Sequence, residues 1–153
     1  LVESSQWRKI VKSPKKLILK TIKSFPKKYR FINKRAHISL LLTNNKKIKY
    51  LNKKFRKKNK ATDILSFPFQ SKKELKNKLK KEKEVYLGNI IINLGKIKNK
   101  KILKNFNLEF DRLWIHGLVH LFGHEHKKDK DFKKMNRVEK KYLNLVNDRK
   151  ILK

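Results

Sequence analysis

Residues 116–126 of this 153-residue chain read HGLVHLFGHEH and contain four of its five histidines. His116 and His120 are four residues apart, so on an α-helix both imidazoles lie on one face, roughly 5–6 Å apart at Cβ. Gly123 is typical of a helix end, because glycine adopts the left-handed conformation that closes a last turn. A chain that reverses there can bring His126 back toward the first two imidazoles. The spacing therefore predicts a helix, a turn and three histidines that meet.

Three neutral imidazoles at one point indicate a metal centre. Three protein ligands leave the fourth position of a tetrahedral zinc open, which is the arrangement of catalytic zinc sites. Water in that position has its pKa lowered toward roughly 7. We therefore expect one Zn²⁺ per chain, held by His116, His120 and His126. The chain contains no cysteine, so zinc sites built on thiolates are excluded.

Two other interpretations of these histidines remain open. His116 and His120 could form a polar stripe, or a packed pair in the core, with no metal. Alternatively, a helix that continues through Gly123 would make His116, His120 and His124 the ligands, although glycine and helical drift disfavour this. If the helix ends at Gly123, we expect His124 beside the metal ligands or on the substrate side. His37 lies alone at a strand start and is expected to be structural.

The same spacing also occurs in metalloproteases, whose signature His-x3-His-x2-Gly-x2-His it matches. Those enzymes place a glutamate, their general base, directly after the first histidine, whereas this chain has Gly117 there. Loss of a general base costs on the order of 10²–10⁴ in rate. The motif therefore favours a different metal-dependent reaction, and a peptidase with an unusual base stays an alternative.

The rest of the chain interleaves strand patterns with helix patterns. Strands are predicted at 37–43, 62–67 and 85–93, and helices at 7–25 (with Pro14 in the first turn of its ordered part), after Asn44, at 94–104, 108–122 and 129–146. The segment 71–84 is rich in Lys and Glu with only two Leu, which favours a charged loop or insertion over a solvated helix. The pattern predicts one α/β (α+β) domain over 1–153, a small mixed sheet flanked by helices.

The charge balance is strongly basic. The chain has 45 Lys and Arg against 12 Asp and Glu, a net charge of +33. A basic surface attracts polyphosphates, so nucleic acid is the favoured partner class and an anionic membrane surface the second. A genome of biased composition also produces an excess of Lys, Ile and Asn on any protein surface. The charge alone therefore does not identify the partner class. No apolar run approaches the roughly 18 residues that cross a bilayer, and no signal-peptide order is present, so we expect a cytoplasmic protein without a membrane partner.

Three blocks of the sequence occur in the order found in a known family. Residues 116–126 look like the signature HGxLHLxGYDH. Residues 51–56 (LNKKFR) with 61–69 (ATDILSFPF) look like LNxxYRxxDxPTDVLSFPF, and residues 86–90 (YLGNI) contain a match to LGDI. From about residue 37 to 146 the chain thus resembles the YbeY family, the bacterial endoribonucleases and ribosomal RNA maturation factors.

This resemblance implies a zincin-like fold, a zinc ion held by three histidines and cleavage of single-stranded RNA. It also implies maturation of the 3′ end of small-subunit ribosomal RNA and ribosome quality control, with the small subunit and its assembly factors as partners. The chain departs from the family pattern at four positions outside the ligand set: Ala61 for Pro, Asn89 for Asp, His124 for Tyr and Glu125 for Asp.

Arg56 matches the functionally important arginine of the family. Phosphodiester cleavage builds negative charge on the non-bridging oxygens, and a guanidinium can bind two of them at once. We expect catalytic roles for Arg56 and His116, and RNA contacts at Arg56, Lys57, Lys58 and His124. The alternative for Arg56 is a structural salt bridge, for instance to Asp63.

Several other side chains have expected roles around this site. The candidate carboxylates for orienting the imidazoles are Glu109, Asp111 and Glu125. Ser66 is expected to pack within its strand, and core positions are expected for Phe67, Phe69 and Trp114 rather than base stacking. Two rival functions remain: a ribosome-assembly factor whose metal is mainly structural, and a metal hydrolase of another substrate.

Overall fold

The computed structural model describes residues 2, 5–23, 36–98, 102–125 and 128–151. The elements in chain order are α1 (Ser5–Ile10), α2 (Pro14–Ile22), β1 (Ala36–Thr43), α3 (Asn45–Arg56), β2 (Ile64–Pro68), α4 (Lys72–Lys81), β3 (Val85–Asn93), a 3₁₀ turn (Leu94–Lys96), α5 (Leu103–Leu121) and α6 (Asp129–Ile151). The predicted mixed sheet flanked by helices is confirmed. Within these ranges, no helix is both long and apolar enough to cross a membrane.

The three strands form one mixed sheet in the order β1-β3-β2. β1 is parallel to β3, and β2 is antiparallel to it. β3 is the central strand, and its run of Ile90, Ile91 and Ile92 is buried. A central strand covered on both sides is expected to be this continuously apolar.

Helix α5 packs on β2 and β3 on one face of the sheet. Its fully buried side chains include Leu113, Trp114 and Leu118, which pack in one core with Ile90 and Ile92 of β3. This large apolar contact fixes α5 on the sheet, because protein cores are packed at nearly crystalline density.

The opposite face of the sheet is covered by α3 at one end. Asn44 caps this helix by accepting a hydrogen bond from the Lys47 amide, as predicted. Ile48 of α3 then packs on Leu65 and Ile91 in a second, smaller core. The helix ends at Arg56, and Lys57 takes the left-handed conformation with φ 57°.

A bulge in β3 brings two polar side chains together on that opposite face. His37 pairs with Tyr86, but Ile38 pairs with Gly88, so one extra residue lies in β3. Gly88 has φ +135°, and a Cβ there would lie 2.2 Å from the Phe67 carbonyl oxygen, so glycine is required. As a result, the Tyr86 hydroxyl donates to Asn89 Oδ1 at 2.9 Å.

Buried hydrogen bonds attach the N-terminal helices to the rest of the domain. The Trp7 indole donates to the Thr43 carbonyl at 2.8 Å. Asp111 of α5 is buried and accepts from the Thr21 hydroxyl at 3.0 Å and from the Trp114 indole at 2.9 Å. All three hydrogen bonds satisfy polar groups that would be costly to bury alone.

The predicted helix boundaries need four changes. The helix expected over 7–25 is broken at 11–13 into α1 and α2, with Pro14 at the first position of α2, and residues 24 and 25 lie outside the described residues. Of the helix predicted over 94–104, residues 94–98 contain only a 3₁₀ turn, residues 99–101 lie outside the described residues, and residues 103 and 104 belong to α5. α5 therefore begins earlier than the predicted 108, and α6 extends past 146 to Ile151.

The expectation of a charged loop over 71–84 is wrong for most of that segment, because α4 occupies Lys72–Lys81. Ser71 and Glu74 form a capping box, and their hydrogen bonds lower the pKa of Glu74. Leu75 is buried in the main core. The high lysine content obscured a helix that its apolar contacts with the core and its N-terminal cap stabilise.

Candidate functional site

His116 and His120 lie on the last two turns of α5 with their rings in contact. The two Nε2 atoms are 3.2 Å apart, and the ring centroids are separated by 4.7 Å with an interplanar angle of 82°. Both side chains are partly buried at the end of the helix that packs on the sheet. The predicted juxtaposition of these two imidazoles is therefore present.

Each imidazole is oriented by an acceptor on its other nitrogen. His120 Nδ1 donates to the backbone carbonyl of His124 at 2.9 Å, and His116 Nδ1 donates to Glu139 Oε2 at 3.0 Å. A carbonyl and a carboxylate only accept hydrogen bonds, so the partners assign the proton of each neutral ring to Nδ1. The lone pair of each ring then belongs to Nε2, the atom that points toward the other histidine.

This arrangement fits a shared metal ion. Two nitrogens bound to one tetrahedral zinc at roughly 2.0–2.1 Å are about 3.3–3.4 Å apart, and the two Nε2 atoms here are 3.2 Å apart. Two lone pairs at that distance are favourable when a cation lies between them. A histidine ligand whose second nitrogen donates to a carboxylate or carbonyl is also the usual arrangement around zinc.

The predicted third ligand, His126, lies outside the described residues. Within the described part of the chain, no group of three His, Cys, Asp or Glu side chains is placed to hold a metal. The zinc ion and its complete set of ligands (His116, His120 and His126) therefore stay predictions.

The turn after α5 has the geometry that the glycine predicts. The Gly123 amide donates to the His120 carbonyl at 2.8 Å, and the His124 amide to Val119 at 3.3 Å, which is a Schellman motif. Gly123 has φ +78°, and the helix ends at Leu121, so a continuous helix through His124 is wrong.

His124 contributes its backbone to the site, because its carbonyl orients His120. Its own imidazole is partly buried. Burial lowers the pKa of His124, and the nearby Lys72 and Lys134 lower it further. The ring is therefore neutral at physiological pH and lines the same cleft as the two oriented histidines.

Arg56 lines the cleft that contains these histidines. The cleft has a volume of about 730 Å³, and its lining includes Arg56, Asp63, His116 and His120. Lys57 and Lys58 are exposed beside Arg56 at the end of α3. The fold thus brings the arginine of the 51–69 block into the same cleft as the histidines of the 116–126 block.

The alternative of an Arg56–Asp63 salt bridge is not what the structure contains. Asp63 pairs instead with Arg112 at 3.7 Å, and Arg112 also pairs with Glu109 at 3.0 Å. The hydrogen bonds that Arg112 donates to Glu109 raise the pKa of Arg112, and the charges of Asp63 and Glu139 add to this effect. Arg112 therefore occupies the position between these carboxylates.

The carboxylate that orients His116 is Glu139, which the sequence analysis missed. Of the three expected candidates, Glu109 pairs with Arg112, Asp111 is buried against Thr21 and Trp114, and Glu125 lines the cleft. Glu139 belongs to α6, and its side chain is 16% exposed. Only the packing of α6 on α5 brings it to His116, so no local spacing indicates it.

Gly117 lies where α5 packs directly against β2 and β3. A Cβ at this position would be 2.9 Å from Ile90 Cγ2 and 3.0 Å from Ser66 Oγ. A glutamate here would have no space between helix and sheet, so the site lacks the base of a metalloprotease for a steric reason. The Ser66 hydroxyl is buried in this contact and has no hydrogen-bond partner among the described residues, as expected for strand packing rather than for a nucleophile.

Comparisons with known proteins agree with this architecture. A family model described as endoribonuclease YbeY matches residues 1–147. A protein of Pelagibacter ubique named endoribonuclease YbeY is 46% identical over 140 residues, which cover 90% of this chain and 87% of that protein. The protein of the same name from Ehrlichia canis is 33% identical over 140 residues, 90% of this chain and 85% of its own.

A solved structure has the same fold. The solution structure of TM1509 from Thermotoga maritima aligns with a TM-score of 0.54 at 25% identity, covering 95% of this chain and 86% of that one. Fold, histidine geometry and family match lead to the same assignment. The chain belongs to the endoribonuclease YbeY family.

Proposed function

We propose that this chain is a zinc-dependent endoribonuclease that cleaves single-stranded RNA. The observation that carries the proposal is the pair of oriented imidazoles facing one cleft with Arg56. We further propose that its substrate is ribosomal RNA, at the 3′ end of the small-subunit RNA, and that it acts in the cytoplasm with the small subunit and its assembly factors. The names of the relatives support the reaction class.

The histidines of the chain hold the metal in this proposal, and their partners keep them in position. His116, His120 and His126 would bind one zinc ion, which supplies Lewis acidity toward a phosphoryl oxygen. Glu139 and the His124 carbonyl hold the Nδ1 protons and so keep each Nε2 available to the metal. This orientation precedes substrate binding and costs no reorganisation during the reaction.

Arg56 acts on the phosphate rather than on the metal. Its guanidinium presents several N–H donors that can bind two non-bridging oxygens, whose negative charge grows during phosphodiester cleavage. Lys57 and Lys58 are exposed next to it and bind neighbouring phosphates without selecting a base. Arg56 therefore contributes to the rate, and the two lysines contribute to affinity.

The experiment compares metal content and RNA cleavage for the wild type, His120→Ala and His37→Ala. His37 is a matched control, because it is exposed at the start of β1 and pairs with Glu84 at 3.5 Å, away from α5. We expect one zinc per chain and cleavage of single-stranded RNA for the wild type and for His37→Ala. We expect His120→Ala to lose the zinc and at least about 100-fold in cleavage rate.

Two results would contradict the proposal. Bound zinc without RNA cleavage in the wild type would favour an assembly factor whose metal is structural. A wild type without zinc would return His116 and His120 to a polar pair with no metal. A casein-type peptide assayed in parallel tests the peptidase alternative, which the packing of Gly117 disfavours.

A further inference from the structure

On the face of the sheet opposite α5, the end away from α3 is not covered by any element among the described residues. We call it the open sheet face, and it comprises Ser39 of β1, Phe67 of β2, Tyr86 and Asn89 of β3, and the flanking Phe55 and Phe69. A cavity of about 830 Å³ lies over this face. Helix α3 covers only the other end, where Ile48 packs on Leu65 and Ile91.

Two aromatic rings on the open sheet face are exposed. Phe55 is 58% exposed and Phe69 is 66% exposed, so the expected core position of Phe69 is wrong, whereas Trp114 is fully buried as expected. Phe55 meets Phe67 edge to face at 5.5 Å, and Phe69 meets Tyr86 at 5.4 Å. Each contact restricts its exposed ring, which reduces the side-chain entropy lost when a ligand stacks on that ring.

A cation lies beside one of these rings, and the polar groups of the open sheet face are neutral. Lys54 Nζ lies 5.4 Å from the centroid of the Phe55 ring. Tyr86 links the polar groups, since its hydroxyl lies 2.9 Å from both Ser39 Oγ and Asn89 Oδ1.

The lysines and arginine around the end of α3 are all exposed: Lys53, Lys54, Arg56, Lys57, Lys58 and Lys60. Exposed rings beside a basic strip are typical of surfaces that bind single-stranded nucleic acid.

The open sheet face continues into the histidine cleft. Phe55, Phe67 and Pro68 line both cavities. A strand whose phosphate lies at Arg56 therefore has its neighbouring nucleotides within reach of Phe55, on the same end of α3. Arg56, the residue after Phe55, lines the histidine cleft at this border.

We propose that the open sheet face binds the bases next to the cleaved bond of single-stranded RNA. Phe55 and Phe69 stack with bases, while Lys54, Lys57 and Lys58 contact the phosphates. The proposal rests on the function proposed above and adds a subsite to it. Stacking of this kind is tolerant of sequence, because every base has an aromatic face. It also requires unpaired bases, so the subsite selects single-stranded over duplex RNA.

The test measures the affinity of the zinc-loaded protein for two fluorescent 12-mers by anisotropy, with RNA integrity checked on a gel. One probe is oligouridylate, and the other is an abasic oligomer with the same backbone. We expect Phe69→Ala and Phe55→Ala each to weaken oligouridylate binding by about 5- to 20-fold, at the lower end of the usual stacking range. Binding of the abasic probe should change less than about 2-fold, because phosphate contacts remain.

Two further variants make the test specific. Phe132→Ala is the matched control, because Phe132 is 56% exposed but lies on α6 and lines neither cavity. It should bind both probes like the wild type. Phe69→Leu keeps an apolar side chain but loses the ring, so it should weaken oligouridylate binding as Phe69→Ala does. Full affinity of Phe69→Leu would overturn stacking in favour of a general apolar contact.

Other outcomes would assign the open sheet face to another ligand. If the Phe55→Ala/Phe69→Ala double variant binds oligouridylate within about 2-fold of the wild type, the proposal is overturned. If that variant instead loses binding to vesicles of phosphatidylglycerol while RNA affinity is unchanged, the occupant is a membrane surface. Thermal melts check that each variant is folded, which we expect because both rings are more than half exposed.

Failure of this subsite is distinguishable from failure of the proposed function. If the subsite is wrong and the function is right, the wild type cleaves RNA, His120→Ala does not, and the phenylalanine variants bind oligouridylate normally. If the function is wrong, no variant cleaves RNA, including the wild type. The anisotropy measurement still reports on the subsite in that case, since it requires binding but no cleavage.

Discussion

The two faces of the three-stranded sheet are built in different ways. On the face covered by α5, His116 and His120 are partly buried, and each is hydrogen-bonded in one orientation. On the open sheet face, Phe55, Phe69 and the neighbouring lysines are exposed. Packing thus fixes the atoms that would do chemistry, whereas the groups that would bind a long polyanion are solvated. Single changes on the covered face should be nearly all-or-none, and those on the open face should be graded and salt-dependent.

Arg56 lies between these two regions, and its replacement should have the largest effect among the residues that do not bind metal. Arg56→Ala should lower the RNA cleavage rate by about 10²–10³, the cost of removing one preorganised donor from a developing negative charge. RNA affinity should fall by no more than about 3-fold, because many other cations contact the phosphates. Single-turnover cleavage and anisotropy measure the two quantities separately.

Lys57→Ala is the matched control for this prediction, since Lys57 is the adjacent exposed cation. It should lower affinity slightly and leave the single-turnover rate unchanged. An equal loss of rate and affinity in Arg56→Ala would place Arg56 with the binding lysines and move the boundary between the two regions.

Glu139→Gln tests whether the covered face depends on a hydrogen bond from another helix. Gln keeps the size of the side chain but replaces the charged carboxylate that accepts from His116 Nδ1 with a neutral amide. Zinc affinity should fall by about 10- to 100-fold, the usual effect of losing such a partner. Competition with a chromogenic chelator measures this affinity without reference to RNA.

Glu109→Gln serves as the comparison, because Glu109 pairs with Arg112 rather than with a histidine. It should bind zinc like the wild type. The opposite result, with weak zinc binding in Glu109→Gln and normal binding in Glu139→Gln, would show that the charge network around Arg112 supports the metal instead.

Much of the covered face could be predicted from the sequence, because its signals are local. The spacing of His116 and His120 reports the helical period, and Gly123 reports the turn that ends the helix. Each of these features depends on residues within one or two turns. The approach of Arg56 to the histidines was expected only from the family resemblance, since nothing in the spacing of the two blocks requires it.

The features that the sequence did not indicate depend on contacts between distant segments. Glu139 reaches His116 because α6 packs on α5, and the two residues are 23 positions apart. Phe69 is exposed because β2 ends at Pro68, whereas its aromatic side chain suggested a core position. The bulge at Gly88 turns Tyr86 and Asn89 to the same face, which alternation along a regular strand would not do.

Asn89→Asp should have the smallest effect and tests the open sheet face by charge alone. The family pattern that the sequence resembles has Asp here, so the fold should accept it. The carboxylate can still accept from the Tyr86 hydroxyl that now donates to Asn89 Oδ1. The variant therefore adds one negative charge with little other change. Because this position is exposed, the repulsion of RNA phosphates is screened, and affinity should fall by about 2- to 3-fold.

The salt dependence of this loss of RNA affinity tests whether the loss is electrostatic. The difference between Asn89→Asp and the wild type should shrink as the salt concentration rises from 50 to 200 mM, about the range over which exposed charges become screened. A difference that persists at high salt would mean that the Asn89 amide contacts a base directly. If Asn89→Asp binds RNA like the wild type at low salt, the phosphates lie farther from β3 than stacking on both exposed rings would place them. Phe55 would then be closer to the RNA than Asn89 is.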